Sequence, residues 1–393
     1  MTKLGYLVPQ FPGQTHIFFW REIKELEKRG IDVALMSTRK PAAGLIAHDW
    51  SDEAMARTEY LGQPNPLDAI AALPRLPYRE ILAEGGRDFL KDVAVSAPAA
   101  RALIRTCKRQ GIDHVHVHSC GRAALVAKLA KVMGGPDYSL TLHGPLEDYG
   151  PGQRVKWRDA KFATIITKKL IAEMQAEMAE DMPSQIFLQA MGVDTERLSR
   201  ATPYEPAKPD EPLRIFSCGR LNLVKGHQDH MAAVRQMIDA GREVQLEIAG
   251  EDDDGGHGYR RVLEQRVEEL SLQGHVTLLG AIDADAVRDK LLHAHMFVLA
   301  SWAEPLGVVY MEAMSCELPT IGTAAGGVPE LITDGVDGVL VPPQDPAALA
   351  AAITALAQDP ETAKQIAVKG RETIVAGYGA GRGADTLLRG MAL

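Results

Sequence analysis

The sequence predicts two doubly wound α/β domains, on three observations. Short apolar runs rich in β-branched residues alternate with amphipathic stretches, the alternation occurs as two series, and a proline-rich break separates them. At 393 residues the chain also exceeds a single ordinary core, since domains run roughly 100–200 residues.

The first series is Leu4–Val8, Val33–Met36, Val115–His118, Tyr138–Leu142, Ala163–Thr167 and Ile186–Gln189. The second is Leu213–Ser217, Val244–Ala249, Val276–Leu279, Phe297–Ala300, Thr320–Ile321 and Gly338–Val341. Runs this short and this apolar suit strands buried on both faces, so each series implies a parallel sheet covered by helices on both sides. Between the series, Thr202-Pro-Tyr-Glu-Pro-Ala-Lys-Pro209 carries three prolines and can continue neither a helix nor a central strand. The expected domains are therefore 1–202 and 203–393, with the last helix a candidate to return to the first domain. Residues 42–110 fit the scheme least. Their Ala/Leu/Arg-rich segments around 68–83 and 97–110 predict extra helices that would shape an acceptor or partner surface.

Composition narrows the class. With 46% hydrophobic and 24% charged residues the chain is globular rather than disordered. Net charge is −9, but residues 1–207 hold 27 basic against 25 acidic groups, and 208–393 hold 16 against 27. No basic excess of the kind a nucleic-acid duplex needs is present, so nucleic acid is not an expected partner. Cys107, Cys120, Cys218 and Cys316 are scattered without a CxxC pair, which points to free thiols in a reducing, cytoplasmic setting. The apolar run at the N-terminus stops at Pro9, and no stretch of about 20 apolar residues occurs elsewhere.

In an open parallel sheet ligands bind beyond the carboxyl ends of the strands, which gives weight to residues directly after each run. After Phe297–Ala300 comes Ala303-Glu304-Pro305-Leu306-Gly307-Val308-Val309-Tyr310-Met311-Glu312, a loop opening into a helix. Its Pro and Gly let backbone N–H groups approach an anion at the positive helix end. After Leu213–Ser217 comes Cys218-Gly219-Arg220-Leu221-Asn222-Leu223-Val224-Lys225-Gly226, where two cations on a glycine-bounded loop can grip a diphosphate. Singly, such groups read as an acid at a helix start and as solvated surface charges; together at strand ends they read as a diphosphate site.

These runs closely resemble the donor domain of family 4 GT-B glycosyltransferases, over almost all of residues 213–376. The elements that carry the likeness are Glu304 to Glu312 (an E-x7-E pattern), Gly219-Arg220 through Lys225-Gly226, and the glycine-rich turn Ala324-Ala-Gly-Gly-Val-Pro-Glu330. The resemblance implies two Rossmann-like domains facing each other across a cleft and transfer of a hexosyl unit from a nucleotide-diphosphate sugar with retention. Arg220 and Lys225 would then neutralise the diphosphate and the leaving group. Glu304 would hold the sugar hydroxyls, Glu312 the ribose, and the amides of Gly307 and Val308 the distal phosphate, with Gly219 and Leu306 completing the donor site.

In the first half, Tyr6-Leu-Val-Pro-Gln-Phe-Pro-Gly13-Gln-Thr15-His16 resembles the loop of a polysaccharide-building subgroup and adds Gly13 to the donor-binding residues. Its Gln14-Thr15-His16 departs from that subgroup's pattern. Leu140-Thr141-Leu142-His143-Gly144 resembles the family's strand ending in a histidine beside the sugar, and Met191-Gly192-Val193-Asp194 its Asn-Gly-Val-Asp turn, with Met191 in place of Asn.

Two clusters invite a metal reading. His114-Val-His116-Val-His118 puts three histidines on one strand face, but no carboxylate or cysteine follows at ligand spacing. Asp252-Asp253-Asp254 suits a solvated loop better than a magnesium site. No metal or cofactor is expected, because two cations and a helix end already supply positive charge. Competing readings are another GT-B sugar-phosphate enzyme (an epimerase or a phosphorylase, although no pyridoxal lysine is evident) and a non-catalytic nucleotide-sugar-binding subunit. A glycan or lipid-linked acceptor is expected. In Arg154-Val-Lys156-Trp157-Arg158-Asp-Ala-Lys161-Phe162 cations alternate with aromatics, as expected of weak contact with an anionic membrane at its inner face.

Overall fold

The computed structural model describes residues 3–13, 15–41, 49–62 and 65–392. Gln14 of the first loop, and 42–48 and 63–64 of the irregular stretch, lie outside the described residues. Among the described residues, 3–41, 50–190 and 381–392 form one compact unit, and Asp49 with 191–380 form another.

The first unit is a seven-stranded sheet in the order β3-β2-β1-β4-β5-β6-β7. Its strands are β1 (Lys3–Gln10), β2 (Asp32–Arg39), β3 (Glu59–Tyr60), β4 (His114–Val117), β5 (Asp137–Leu142), β6 (Ala163–Ile165) and β7 (Ile186–Leu188). All neighbours pair in parallel. Leu4, Leu7, Val115, Val117, Leu140 and Leu142 are wholly buried, as continuous apolar runs covered on both faces require. The two-residue β3 had no apolar run to announce it. The 42–110 stretch supplies helices Ser51–Arg57, Pro66–Ala72, Tyr78–Glu84 and the long Arg87–Gln110.

The C-terminal helix Gly381–Met391 belongs to this unit. It packs on helix Ile17–Lys28, where the Arg29 guanidinium donates to Asp385 Oδ1 at 2.7 Å. A Cβ at Gly390 would lie 2.6 Å from the Phe162 ring, so only glycine lets the helix sit this close.

The second unit is a six-stranded parallel sheet ordered β10-β9-β8-β11-β12-β13. Its strands are β8 (Leu213–Cys218), β9 (Val244–Ala249), β10 (Val276–Gly280), β11 (Met296–Val298), β12 (Thr320–Thr323) and β13 (Val339–Val341). This unit takes up residues 191–202 ahead of the proline-rich segment, and hydrogen bonds explain why. Arg200 donates to the Cys316 carbonyl at 2.8 Å and to that of Leu292 at 3.1 Å, while Ser315 Oγ donates to the Leu198 carbonyl at 2.8 Å. Met191-Gly192-Val193-Asp194 is held by Val193 N–H to the Tyr378 carbonyl at 2.8 Å and Ala380 N–H to the Val193 carbonyl at 2.9 Å. The proline segment itself is anchored by Tyr204, whose hydroxyl donates to the carbonyl of buried His295 at 2.8 Å.

In each sheet the strand order reverses beside the first strand, between β1 and β4 and between β8 and β11. Ligands of such sheets bind at that switch point, beyond the carboxyl ends. Among the described residues no helix is long and apolar enough to cross a membrane.

Candidate active site

In the second unit the loops after β8 and β11 flank the switch point and bring Lys225 against Glu304. The approach is built by glycine. Gly226 has φ +67°, and a Cβ there would lie 1.8 Å from the Ala300 carbonyl oxygen, so the turn carrying Lys225 seats directly on the end of β11. Asn222 Oδ1 accepts from Lys225 N–H at 3.2 Å and closes the turn. The Lys225 ammonium and Glu304 Oε2 form an ion pair, their side chains only 16% and 10% exposed, and Ser301 Oγ adds a 3.2 Å hydrogen bond to the same oxygen. Taking a carboxylate this far out of water is costly unless such partners meet it.

The backbone of Glu304 is held from the other side by the glycine-rich turn. Gly326 has φ +62°, and a Cβ there would come within 2.0 Å of the Glu304 carbonyl oxygen, which accepts from Gly327 N–H at 2.9 Å. The turn is therefore a clamp on the glutamate loop, a role the sequence pattern alone did not disclose.

Gly307 then starts helix Val308–Ser315, with Leu306 buried before it and Glu312 buried on it. Enclosure, with the Glu312 charge adding to it, pushes the Cys218 thiol up to about 12. Gly219 follows β8. Arg220 is half exposed, its guanidinium 3.8 Å from Asp253 Oδ2, and its carbonyl is 3.3 Å from His227 Nε2. His227 and His230 are buried at the start of the next helix, and burial holds them neutral, at about 4 and about 3.

Asp252 is buried rather than solvated. Oδ1 accepts from the N–H groups of Asp254 and Gly256 (3.0 and 2.8 Å), Oδ2 from those of Gly258 and Arg260 (3.1 and 2.8 Å). Burial works against its charge, yet these four donors hold its carboxyl below the usual range. It organises the loop, with both oxygens occupied.

In the first unit, Gly13 and His143 follow β1 and β5. Gly13 is buried, and its carbonyl accepts from His16 N–H at 3.1 Å. His143 lies in an aromatic cage, 5.8 Å from Phe18, 5.5 Å from Phe19 and stacked at 5.5 Å on His118. Burial, then His118, holds it down to about 3, so it is neutral at physiological pH. The histidine strand resolves into separate roles. His116 spends both ring nitrogens on Ser139 Oγ (2.7 Å) and Thr141 Oγ1 (2.8 Å), and His114 Nε2 meets Ser139 Oγ at 2.8 Å. Among the described residues no cluster of His, Cys, Asp or Glu is arranged to hold a metal ion.

The segment expected at a membrane surface is instead a short helix, Gln153–Trp157, packed inward. Lys156, Trp157 and Phe162 are wholly buried, and Arg154 and Arg158 both bind Asp181, at 3.2 and 2.6 Å. Its aromatics fill core, so the interfacial reading of that segment falls.

Glu22 escaped the sequence reading. It sits on helix Ile17–Lys28 among charged neighbours, yet is buried and accepts from the Tyr6 hydroxyl at 2.7 Å. The available signal was helical spacing, which puts position 22 on the face of Phe19, Ile23 and Leu26.

Comparison with known proteins places this architecture. Residues 200–373 match the family described as Glycosyl transferases group 1, and 16–169 the Glycosyl transferase 4-like domain. Alpha-D-kanosaminyltransferase of Streptomyces kanamyceticus is 27% identical over 55% of this chain and 54% of its own length, so this chain spans about half of that relative. A protein of Escherichia coli provisionally named as the colanic acid biosynthesis glycosyltransferase WcaL is 25% identical over 95% of each chain. Among solved structures, Anabaena Alr3699/HepE in complex with UDP and glucose shares the fold with a TM-score of 0.78 over 100% of each chain at 18% identity. With both parts of the chain matched by models of one enzyme class and both sheets wound in the same order, the chain belongs to the GT-B glycosyltransferases of the family 4 type.

Proposed function

We propose that this glycosyltransferase moves a hexosyl unit from a nucleotide-diphosphate sugar, with retention of anomeric configuration, onto a glycan or lipid-linked glycan acceptor in polysaccharide or glycolipid synthesis. The observation that carries the reading is the enclosed Lys225–Glu304 pair at the switch point of the second sheet, clamped by three loops. A retaining transfer develops negative charge on the departing diphosphate and positive charge on the sugar, and fixed groups of both signs meet that need. Lys225, Arg220 and the N–H groups of Gly307 and Val308 take the diphosphate, with Gly219 and Leu306 lining its place; Glu304 takes the sugar hydroxyls and Glu312 the ribose. Neutral His143 and Gly13, after β5 and β1, are the first unit's candidates for contact with substrate. The departing phosphate oxygen takes the acceptor proton, and no metal or other cofactor takes part.

Uridine-diphosphate sugars are the favoured donors, supported by the UDP and glucose bound in the Anabaena structure, with guanosine-diphosphate mannose second. The acceptor meets the enzyme at the cytoplasmic face of the membrane. With 154–162 packed inward, the exposed apolar side chains of 67–95 are the better surface for it. Leu67, Ile70, Leu73 and Leu82 are 77%, 65%, 51% and 74% exposed, and Arg75, Arg79, Arg87 and Lys91 stand exposed among them with Asp88 as the exposed acid. Exposed apolar side chains interleaved with cations along the chain fit anionic headgroups.

The test is to incubate the enzyme with UDP-hexoses and GDP-mannose, with and without glycan acceptors, in EDTA, and to read the product anomeric centre by NMR. Retained configuration on an acceptor-dependent product is expected. An inverted product would refute the mechanism, an epimerised donor without acceptor would make the protein an epimerase, and loss of activity restored by magnesium or manganese would place a metal in the reaction.

A further inference from the structure

Beneath His143 lies a chain of polar groups sealed into the first unit. Glu22 is 4% exposed. A Cβ at Gly383, on the C-terminal helix, would stand 2.3 Å from its Oε1, so that glycine leaves the room the carboxylate occupies. Its Oε2 meets two groups, the Tyr6 hydroxyl at 2.7 Å and His118 Nε2 at 3.0 Å. Nε2 makes no hydrogen bond of full geometry there, so the His118 ring, which burial keeps neutral, meets the carboxylate as a dipole. On its other side, His118 Nδ1 lies 3.3 Å from His143 Nε2. His116, whose ring is 4.5 Å from that of His118, does not compete, because Ser139 and Thr141 occupy both its nitrogens.

Burial raises the Glu22 carboxyl from its ordinary value, opposed by His116 and by the Tyr6 hydroxyl, and with that carboxyl ionised the donors and acceptors around it pair in one way. Burial and the neighbouring carboxylate raise Tyr6 well above the ordinary phenol value, so its hydroxyl keeps its proton and donates, making Oε2 an acceptor. Even off axis, a carboxylate oxygen 3.0 Å away favours a proton over a lone pair on Nε2, so the His118 proton sits on Nε2. Nδ1 of the neutral ring is then an acceptor, and the group it faces, His143 Nε2, must carry the other proton. His143 is left with a bare Nδ1.

We propose that Glu22 is a positioning residue for His143, acting through His118 to fix the tautomer in which His143 Nδ1 accepts a hydrogen bond. A ring held this way receives a substrate hydroxyl proton as an acceptor and does not offer an N–H of its own at that atom. The proton arrangement stands on the first unit alone; its consequence for transfer rests on the reading of His143 as a sugar-contacting residue.

The experiment uses full-length protein with ¹⁵N-labelled histidine and long-range ¹H–¹⁵N spectra, with His143 assigned by its absence in His143→Gln. Wild type is expected to show His143 protonated at Nε2. Glu22→Leu should shift it toward the Nδ1–H form and lower kcat roughly 10- to 100-fold, the range seen when an orienting partner is lost, with donor KM nearly unchanged. Glu22→Gln keeps an oxygen acceptor for both neighbours and should restore the tautomer and most of kcat, which separates positioning from loss of fold. His143 protonated at Nδ1 in wild type, or a Glu22→Leu enzyme with unchanged tautomer and kcat, would overturn the proposal. A tautomer that responds while kcat does not would sustain the proton arrangement and remove His143 from the reaction.

Discussion

The two sheets share a winding order and place their candidate site residues at the same topological point, but they furnish it differently. At the second sheet the groups are charged, and an ion pair is pressed together by turns in which Gly226 and Gly326 pack on carbonyl oxygens. At the first sheet they are neutral rings, with His143 caged by Phe18, Phe19 and His118 above a buried carboxylate. The topology fixes where a ligand goes, and the loops decide whether it meets charge or hydrogen-bonding surface.

If the charged end carries the chemistry, its loss should give the largest effect. Glu304→Ala is expected to leave the chain folded and to lower kcat by on the order of 10²–10³, the range for removing one fixed group that stabilises transition-state charge. Wild-type turnover by a folded variant would move the chemistry elsewhere. Next come the cations. Lys225→Ala and Arg220→Ala should each weaken a nucleoside diphosphate far more than the bare nucleoside, and Lys225 more than Arg220, because the lysine is enclosed and the arginine half exposed. Calorimetric titration of both ligands checks this, and equal losses would show that neither cation meets phosphate.

A smaller effect separates clamp from chemistry. Gly326→Ala should lower stability by about 1–3 kcal/mol, since an L side chain at positive φ would also strike the Glu304 carbonyl, and thermal unfolding would register it. An unshifted transition would mean that the turn does not bear on Glu304. The weakest effect belongs to the first unit's surface. Each exposed cation near an anionic bilayer contributes about 1 kcal/mol and is screened by salt, so Arg75→Gln with Arg79→Gln should reduce cosedimentation with anionic vesicles at low ionic strength. Equal pelleting with neutral vesicles would leave the acceptor reading without a membrane.

How legible each region was follows the same division. All six strands of the second sheet were visible as apolar runs, and the candidates at their ends were visible too, because glycines, an acid and a helix start follow one another locally in sequence. What sequence could not give was the pairing of Lys225 with Glu304, or the use of Gly326 as a clamp, since both depend on loops from different strands meeting. In the first unit β3 was missed, because pairing with β2 rather than any apolar run makes Glu59–Tyr60 a strand. Glu22 was missed because the groups that enclose it come from β1, from the end of β4 and from Gly383, far apart in the chain. The cationic aromatic segment at 154–162 misled because composition does not reveal which face of a short helix turns inward.

The buried histidines carry a consequence for how this protein meets acid. His114, His116, His118, His143, His227, His230 and His295 are all held below the ordinary imidazole value, with burial the leading cause in each. In the unfolded chain each would titrate near ~6.5. Above that value neither state binds the protons and these groups leave stability untouched. Below it the unfolded chain takes up protons that the native fold refuses, so each site tilts the balance toward unfolding by about 1.4 kcal/mol per pH unit until its native value is reached. For His114, His227 and His295 that native value is about 4. The melting temperature should therefore drop steeply and cooperatively as pH falls from roughly 6.5 toward 4, and a flat profile across that interval would mean that the native fold accepts those protons after all. A fold that keeps so many imidazoles uncharged gives up stability wherever the pH falls below the ordinary imidazole range.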